Sequence, residues 1–278
     1  MPELPEVETV MLSLKEKVLN KTFDFIWAEN KRKKRSLEKL KGKKIKDVQR
    51  KGKGIFVFLS GEEVLFIHLK MTGHLLLGKW EEKNGSWESE GEIMQDPKNG
   101  FLRVIFFFRD GSQLALSDPR KFATISLISE KEKEERIGKL GPDPLFIGEN
   151  EFVNLFKGKK GRIKPLLMEQ KFIAGIGNIY ASEILFKAKI NPYRKVSAIE
   201  KKELTKVFKE MRKILEKAIK LKGDSTSDYR LLDGKKGGYQ REHLVYDRER
   251  LNCFVCKNKI KRVNLGGRGT YYCPECQK

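Results

Sequence analysis

Four cysteines near one end of the chain constrain its fold more than any other feature. They stand as two Cys-x2-Cys pairs separated by sixteen residues: Cys253, Cys256, Cys273 and Cys276. Each pair places two sulfurs on one side of a tight turn, and two pairs complete the tetrahedron of thiolates that Zn²⁺ prefers. The pattern predicts a zinc ribbon that holds one structural zinc ion. The alternative is a pair of disulfide bonds, which are rare in cytosolic proteins.

The segment between the cysteine pairs is basic, and so is the whole chain. Among 278 residues there are 59 Lys and Arg against 38 Asp and Glu, a formal charge of +21. Because the excess is spread along a chain that is 39% hydrophobic, it indicates a folded protein with a polyanionic partner. No stretch approaches the ~18 apolar residues of a membrane span. The acidic start is unlike a signal peptide, so we expect a soluble, cytoplasmic protein without a membrane partner.

The first half of the chain has the short apolar runs of β-strands. An amphipathic helix comes first, because apolar residues between Val7 and Val18 fall at helical spacing. Seven runs rich in Phe, Val and Ile are predicted as strands: Phe23–Trp27, Ile45–Gln49, Ile55–Leu59, Val64–Leu69, Phe101–Phe108, Gln113–Leu116 and Thr124–Ile128. Residues 79–100 are predicted to be a polar insertion. The pattern predicts a β-sandwich capped by the leading helix.

The second half changes to helical spacing. Four helices are predicted: Phe152–Phe156, Lys164–Gln170, Gly177–Ala188 and Ala198–Leu221. The charged, Gly- and Pro-punctuated segment 129–144 is predicted to be a linker between domains. The Gly-, Ser- and Asp-rich segment 222–240 is predicted to be a mobile loop. The cysteine-bearing tail begins at about Leu244.

The N-terminus offers a nucleophile. Pro2 is small enough for Met1 to be removed, and removal would free a secondary amine. An α-amino group titrates near ~7.7–8.0, and the positive end of a helix dipole lowers that pKa further. A neutral amine can attack an electrophilic carbon and form an iminium ion. Glu3 and Glu6 are three residues apart, so both carboxylates can lie beside the amine. Alternatively, these acidic residues only suit the first turn of a helix.

Two basic segments lie in the β-rich half. The turn Arg50–Gly54 separates two apolar runs, and its glycines allow the backbone to approach a ligand closely while its lysines meet phosphates. A solvated turn is the alternative. The run Lys31–Arg35 is predicted to be a solvated or phosphate-contacting loop.

Gly175–Glu183 is a glycine turn that opens a helix, where backbone amides bind phosphate well. The three histidines lack ligand spacing and are predicted to pack or to hydrogen-bond: His68, His74 and His243.

Seven motifs are spread over the whole length of the chain: Pro2–Thr9, His68–Gly73, Asp118–Phe122, Leu140–Leu145, Ile163–Pro165, Gly175–Glu183 and Gly267–Gln277. Together, and in this order, they resemble the bacterial formamidopyrimidine-DNA glycosylase family, whose enzymes repair oxidised purines. Any one motif can arise by chance, but seven in the family's order do not. The resemblance favours the catalytic interpretation of the N-terminus.

The resemblance implies an α+β multidomain fold. An N-terminal catalytic β-sandwich domain with a leading helix would span residues 1–130. A helical helix-two-turn-helix DNA-binding domain would span residues 131–243, and a C-terminal zinc finger residues 244–278. The implied cofactor is one structural Zn²⁺, and the implied partner is damaged double-stranded DNA. The protein would be a monomer, cytoplasmic and associated with the nucleoid.

The resemblance also implies a mechanism, that of a bifunctional glycosylase and AP lyase acting on 8-oxoguanine and formamidopyrimidines. Pro2 would attack the anomeric carbon of the sugar as the damaged base departs. Glu3 would donate the proton that helps to open the sugar ring, with Glu6 supporting it. Lys53 matches the lysine of β-elimination and phosphate contact. Arg268 matches the zinc-hairpin arginine of δ-elimination.

Further residues match positions that contact DNA. Three match the wedge that fills the hole left by a flipped nucleotide: Met71, Arg120 and Phe122. Three match phosphate-binding positions: Lys160, Lys164 and Asn178. Residues 225–238 match the loop that closes over the flipped base. A histidine pair of many family members is absent near residues 100–103, where Arg103 is a candidate replacement.

Two alternative functions stay open. The sister group of enzymes acts on oxidised pyrimidines, although Leu4 and the wedge residues favour the purine branch. A damage-binding protein without catalysis would share the charge and the zinc site. The presence of Pro2, Glu3, Lys53 and Arg268 favours catalysis over that second alternative.

Overall fold

A computed structural model describes residues 1–89 and 91–278 of the chain. These residues form two compact units. The first unit combines Met1–Ile137 with Leu221–Gly238, and the second combines Gly138–Lys220 with Tyr239–Lys278. The segment 221–238 therefore belongs to the β-rich unit although it follows the last long helix. The three-way division at residues 130 and 243 stays a prediction.

The first unit contains the leading helix and the strands. Its helices are α1 (Leu4–Val18), α2 (Lys31–Leu37) and α3 (Glu130–Gly138), which ends at the boundary of the unit. Its strands are β1 (Phe23–Ala28), β2 (Ile45–Lys51), β3 (Gly54–Leu59), β4 (Val64–His68), β5 (His74–Gly78), β6 (Trp80–Lys83), β7 (Ser86–Ser89), β8 (Leu102–Phe108), β9 (Gln113–Ser117) and β10 (Thr124–Ile128).

Two four-stranded antiparallel sheets make up the sandwich, with strand orders β1-β8-β9-β5 and β10-β4-β3-β2. Their inner faces share one core, to which the first sheet contributes Phe23 and Val104 and the second contributes Val48 and Ile55. Leu14 of α1 is buried in the same core. Because alternate residues of each strand point to one face, these apolar positions are brought together by strand pairing. The predicted β-sandwich with a leading helix is confirmed.

The basic run at residues 31–35 is helical, so the prediction of a loop was wrong. The side chain of Asn30 accepts a hydrogen bond from the amide of Lys33 at 3.0 Å and caps the first turn of α2. At the other end Leu37 is completely buried in the core of the sandwich. The cap and this anchor fix a short helix, and three of its five basic residues are exposed: Lys31, Arg32 and Arg35.

The polar insertion is more ordered than its composition predicts. β6 and β7 form an antiparallel hairpin, and 3-10 turns follow at residues 92–95 and 97–100. Trp80 is buried, and the ring of Trp87 lies 5.3 Å from that of Trp27 in an edge-on contact. These contacts attach the hairpin to the outer face of the first sheet. Residue 90 lies outside the described part of the chain.

Two histidines of the first unit are held in their neutral forms. Burial lowers the pKa of His74 to about 4, and burial, with Lys70 and Lys53 nearby, lowers that of His68 to about 4. His74 lies within hydrogen-bonding distance of the carbonyl of Thr72 at 3.4 Å and of the side-chain oxygen of Asn99 at 3.0 Å. Both contacts agree with the predicted role of this histidine in hydrogen bonding.

The buried histidines predict that acid destabilises the protein. Between pH 6.5 and 4 the unfolded state binds protons at His74 that the folded state does not. The free energy of unfolding therefore falls as pH drops through that window, by ~1 kcal/mol per pH unit for this residue. Urea unfolding at pH 7.5 and pH 5.5 measures the loss. His74→Gln lowers stability at both pH values but should show a smaller difference between them; an unchanged difference would contradict the assignment.

The second unit is helical except for a terminal hairpin. Its elements are α4 (Glu149–Leu155), α5 (Ile163–Met168), α6 (Asn178–Ala188), α7 (Lys201–Lys220), β11 (Lys261–Leu265) and β12 (Arg268–Tyr272). Helix α6 is buried along most of its length and carries Glu183, whose carboxylate accepts hydrogen bonds from three successive amides at 2.8–2.9 Å: Leu244, Val245 and Tyr246. This carboxylate attaches the start of the cysteine-bearing tail to the helical body.

Candidate functional site

The start of α1 gathers two buried carboxylates beside Pro2. Glu3 is the N-cap residue of the helix, and its amide donates to the Glu6 carboxylate at 2.7 Å. The other oxygen of Glu6 accepts from the amide of Asp224 at 2.8 Å. Pro2 is itself buried, while Met1 is 44% exposed. Glu6 thus joins the N-terminal turn to the segment 221–238, and both catalytic candidates are buried in the turn that follows Pro2.

The β2–β3 hairpin, which carries Lys53, is held against α1. Lys51 pairs with Gly54 across the hairpin, so Gly52 and Lys53 form a two-residue turn. Arg50, just before the turn, forms a buried ion pair with Glu8 of α1 and donates to the carbonyl of Gly52 at 3.0 Å. The turn is therefore held at α1, with Lys53 largely buried.

Gly54 is required by packing at this hairpin. A Cβ atom at this position would lie 2.9 Å from the ring of Phe66, closer than side-chain atoms approach one another. The strand pair therefore closes on the ring only because residue 54 has no side chain. The sequence pattern indicated that glycines let the backbone approach a ligand here; the described contact is with the protein's own core.

Segment 221–238 forms a compact loop beside the N-terminal turn. The hydroxyl of Ser225 donates to the carbonyl of Tyr229 at 2.9 Å and accepts from the amide of Gly237 at 2.9 Å. Burial, with the nearby Glu6 carboxylate, raises the pKa of Tyr229 well above its usual range, so the phenol stays neutral. The backbone is irregular, as its composition predicts, but these contacts give it the closed form of an Ω-loop.

The three predicted wedge residues meet on one surface of the first unit. The guanidinium of Arg120 lies 4.6 Å from the ring centre of Phe122, and its Nη1 lies 3.9 Å from the sulfur of Met71. Met71 is 42% exposed and Phe122 is 48% exposed. Large apolar side chains are seldom grouped in solvent without a partner, so this exposed trio suits insertion into another molecule.

Asp118 holds the two loops of the wedge together. Its buried carboxylate accepts hydrogen bonds from the hydroxyl of Thr72, in the loop of Met71, and from the amide of Ala123 at 2.7 Å. The amide of Arg120 donates to it at 3.2 Å. The prediction assigned no role to Asp118 individually, although a buried aspartate before a proline and an arginine is typical of such a turn.

Arg103, the candidate replacement for the absent histidine pair, is occupied within the first unit. Its Nη1 contacts both carboxylate oxygens of Glu29 at 2.8 Å, and its Nε donates to the carbonyl of Asp118 at 2.8 Å. The side chain is only 15% exposed. Its described contacts brace the wedge loop from behind, which gives Arg103 a supporting role in this structure.

In the second unit, Lys164 joins a helix to the terminal hairpin. It is almost completely buried, and its Nζ donates to the side-chain oxygen of Asn178 at 2.6 Å and to the hydroxyl of Thr270 at 2.8 Å. Asn178 in turn donates to the carbonyl of Gly269 at 2.9 Å. Two of the predicted phosphate-binding residues are therefore brought together beside the hairpin that carries Arg268. Lys160 is exposed, outside this network.

The four cysteine sulfurs form a cluster that fits a metal ion. All lie within 4.8 Å of one another, with the sulfurs of Cys253 and Cys276 at 3.8 Å and those of Cys256 and Cys273 at 3.4 Å. A tetrahedron with Zn–S bonds of about 2.3 Å has edges of about 3.8 Å. These separations exceed the about 2.05 Å of a disulfide bond, and all four residues are free thiols. The zinc prediction fits this geometry, and the disulfide alternative does not.

Comparisons with known proteins find similarity along the whole length of the chain. Family profiles match residues 1–125 as "Formamidopyrimidine-DNA glycosylase N-terminal domain", residues 140–230 as "Formamidopyrimidine-DNA glycosylase H2TH domain" and residues 252–278 as "Zinc finger found in FPG and IleRS". The chain belongs to the formamidopyrimidine-DNA glycosylase family. The formamidopyrimidine-DNA glycosylase of Heliobacterium modesticaldum is 35% identical, with 100% of each chain covered.

Solved structures of one family member have the same fold. A mutant of Lactococcus lactis FPG in complex with DNA containing Fapy-dG superposes with a TM-score of 0.86 at 32% identity, and 100% of each chain is covered. The wild-type protein of the same organism, in complex with DNA containing an oxidised pyrimidine, gives a TM-score of 0.85 at 31% identity over 100% of each chain. The chain is thus a DNA glycosylase of DNA repair.

The family assignment places one structural zinc ion at the cysteine cluster. Among the described residues, no helix has the length and apolar character that crossing a membrane requires. The first unit holds seven of the predicted site residues: Pro2, Glu3, Glu6, Lys53, Met71, Arg120 and Phe122. The second holds Lys160, Lys164, Asn178, Arg268 and the zinc ligands. Their individual roles in catalysis and DNA contact stay predictions.

Proposed function

We propose that this protein is a bifunctional DNA glycosylase and AP lyase of base excision repair. It removes oxidised purines, 8-oxoguanine and formamidopyrimidines, from duplex DNA and nicks the strand by β,δ-elimination through an iminium ion at Pro2. The observation that carries the proposal is the arrangement of groups around the start of α1. Glu3 and Glu6 are buried beside Pro2, and the Arg50–Glu8 ion pair holds the turn of Lys53 at the same helix.

The first step uses the amine that removal of Met1 frees. The Pro2 nitrogen forms a bond to the anomeric carbon, and the bond from that carbon to the base breaks with its electron pair leaving on the base. The departing base takes up the proton that the bonded nitrogen loses, which restores the nitrogen lone pair. Glu3 then gives a proton to the ring oxygen, the ring opens, and the nitrogen lone pair completes an iminium ion. Glu6 accepts a hydrogen bond from the Glu3 amide at 2.7 Å. This bond fixes the backbone of Glu3, the proton donor, relative to the adjacent Pro2.

The second step breaks the strand. The iminium ion withdraws electrons, so a proton leaves the neighbouring sugar carbon and the 3′ phosphate is expelled in β-elimination. Loss of a second proton expels the 5′ phosphate in δ-elimination, and water releases the sugar fragment and the free amine. Lys53 supplies positive charge to the phosphate lost in the first elimination. Arg268, exposed on the zinc hairpin, serves the phosphate lost in the second.

The remaining site residues bind the DNA. Met71, Arg120 and Phe122 fill the space that the flipped nucleotide leaves, and their grouped exposure supports this role. Unstacking costs a few kcal/mol, part of which inserted side chains recover. Lys160 and Asn178 contact phosphates, and Lys164 adds its positive charge to this phosphate site from its buried position beside Asn178. The net charge of +21 supports a general affinity for the backbone. That affinity should fall steeply with salt, because each phosphate contact releases counterions; a flat salt profile would contradict this part of the proposal.

A base-release assay tests the activity. The purified protein, with its N-terminus verified by mass, is incubated with duplexes containing 8-oxoguanine or thymine glycol. We expect release of the oxidised purine with cleavage on both sides of the lesion. Binding without release would support a damage binder instead. Preferential release of thymine glycol would support the oxidised-pyrimidine alternative, which is kept because the Lactococcus lactis relative has also been captured with an oxidised pyrimidine.

Three further properties are part of the proposal. The protein acts on damaged double-stranded DNA as a monomer, it is cytoplasmic and associates with the nucleoid, and its domains are divided near residues 130 and 243. Size-exclusion chromatography with light scattering tests the first, and limited proteolysis tests the domain boundaries, since linkers between compact domains are cut first.

A further inference from the structure

Two short segments of the first unit carry complementary charges at matching spacing. Asp96 and Lys98 lie in the polar insertion, between β7 and β8. Asp228 and Arg230 lie in the loop 221–238. In each segment an acidic and a basic residue are separated by one position. Paired in this way, each acid of one segment faces a base of the other, although more than 120 residues separate them along the chain.

Three contacts join the two segments. The Nε of Arg230 donates to the Asp96 carboxylate at 2.5 Å, and Lys98 forms an ion pair with Asp228. The side-chain amide of Asn99 donates to the carbonyl of Gly234 at 3.3 Å. Arg230 and Asn99 are 2% and 1% exposed, so two of the three contacts are shielded from water. We call residues 96–99 the clasp.

Arg230 also braces the loop from within. Its Nη1 donates to the carbonyls of Ser227 at 3.1 Å and Tyr229 at 2.8 Å. Burial opposes ionisation of Asp96, but the hydrogen bonds from Arg230 and the Lys98 amide outweigh it and keep the pKa of Asp96 below its usual value. The carboxylate is therefore charged at neutral pH, and one guanidinium connects the clasp to the loop backbone.

The clasp has a firm support on its other side. Asn99 contacts His74 of β5 at 3.0 Å through its side-chain oxygen and donates to the carbonyl of Ile93 at 2.5 Å. The hydroxyl of Ser117 in β9 donates to the carbonyl of Lys98 at 2.7 Å. The clasp is thus fixed to the first sheet, and the loop is fixed to the clasp.

The opposite end of the loop is tied to Glu6, because the amide of Asp224 donates to that carboxylate at 2.8 Å. Residues 225–230 therefore bridge the N-terminal turn and the clasp. We propose that the clasp is a positioning element that sets the conformation of residues 225–230 beside the departing base and so controls base excision. This inference rests on the proposed function, since the base attached to the sugar that Pro2 attacks must lie near this loop.

Reversal of the exposed charge pair tests the clasp. Lys98 and Asp228 are 39% and 22% exposed, so their exchange should not disturb the core. In Lys98→Glu and in Asp228→Lys, two like charges face each other; we expect excision of 8-oxoguanine under single-turnover conditions to slow by about tenfold. Strand cleavage at a preformed abasic site has no base to position and should stay within about twofold. The double exchange restores attraction and should restore excision.

Hydrogen exchange gives a readout that does not depend on catalysis. Amides of residues 225–236 should exchange faster in each single variant and return to the original rate in the double variant. Equal loss of excision and abasic-site cleavage, unchanged exchange in the single variants, or failure of the double variant to restore both readouts would overturn the proposal. If the unmodified protein neither excises nor cleaves, the proposed function fails, and the exchange experiment still decides whether the clasp holds the loop.

Discussion

Substituting Cys273 by serine is expected to abolish zinc binding and to weaken DNA binding strongly. Cys273 is completely buried in the small core of the hairpin with Val245 and Ile260. Zinc contributes about 10–16 kcal/mol of apparent binding free energy to such sites, whereas an isolated two-stranded hairpin is marginally stable at best. Without the ion the hairpin should unfold, and the contacts of Lys164 with Thr270 and of Asn178 with Gly269 should be lost with it.

The measurement combines zinc content with affinity for undamaged duplex DNA at fixed salt. We expect less than one tenth of an equivalent of zinc and a fall in affinity of about two orders of magnitude, because several basic side chains lose their placement together. Val255→Ala is the control, since this residue lies between Cys253 and Cys256 of the same zinc site, is 67% exposed and should leave both quantities unchanged. A Cys273→Ser protein with normal DNA affinity would show that the ion is dispensable for the interface.

Replacing Glu3 by glutamine is expected to separate the two activities. The side chain is 3% exposed at the start of α1, and as the proton donor to the sugar it should contribute about 10²–10⁴-fold to base excision. A preformed abasic sugar already opens to its aldehyde in water, so cleavage at such a site needs this proton much less. We therefore expect a large loss on 8-oxoguanine and a small loss on abasic DNA.

Single-turnover rates on the two duplexes measure this separation. Glu16→Gln is the matched control, because Glu16 lies on the same helix with its side chain 69% exposed. This substitution removes the same charge at a position away from the site. Equal losses on both substrates would point to a structural role for Glu3. No loss on either would assign proton donation to another group.

Local patterns predicted the elements of the fold well where a short segment specifies its own structure. The strands around Ile45, Val64 and Thr124 lie where the short runs rich in Phe, Val and Ile predicted them, and the spacing of the four cysteines specified their cluster. Helix α2 was missed because its stability depends on the capping side chain of Asn30 and on the burial of Leu37, which a run of five basic residues obscures.

The candidate site could be predicted only in part, because much of it depends on contacts distant in sequence. The resemblance indicated Pro2, Glu3 and the wedge, but it gave no reason why Lys53 should lie near α1. That reason is the ion pair of Arg50 with Glu8, 42 residues apart. The clasp was harder still to predict from the sequence, because Asp96 and Arg230 are 134 residues apart. The segment around each of them has the composition of an ordinary polar loop.

The central claim, that the Pro2 nitrogen attacks the sugar, is tested most directly by borohydride trapping on duplex DNA containing 8-oxoguanine. Two preparations of the chain are compared, one with Met1 removed and one with Met1 retained, each verified by mass spectrometry. Retained Met1 turns the Pro2 nitrogen into an amide, which has no lone pair available for attack. We predict a covalent adduct that maps to the Pro2 peptide in the first preparation and no adduct in the second. Equal trapping of both preparations, or an adduct that maps to Lys53, would contradict the account.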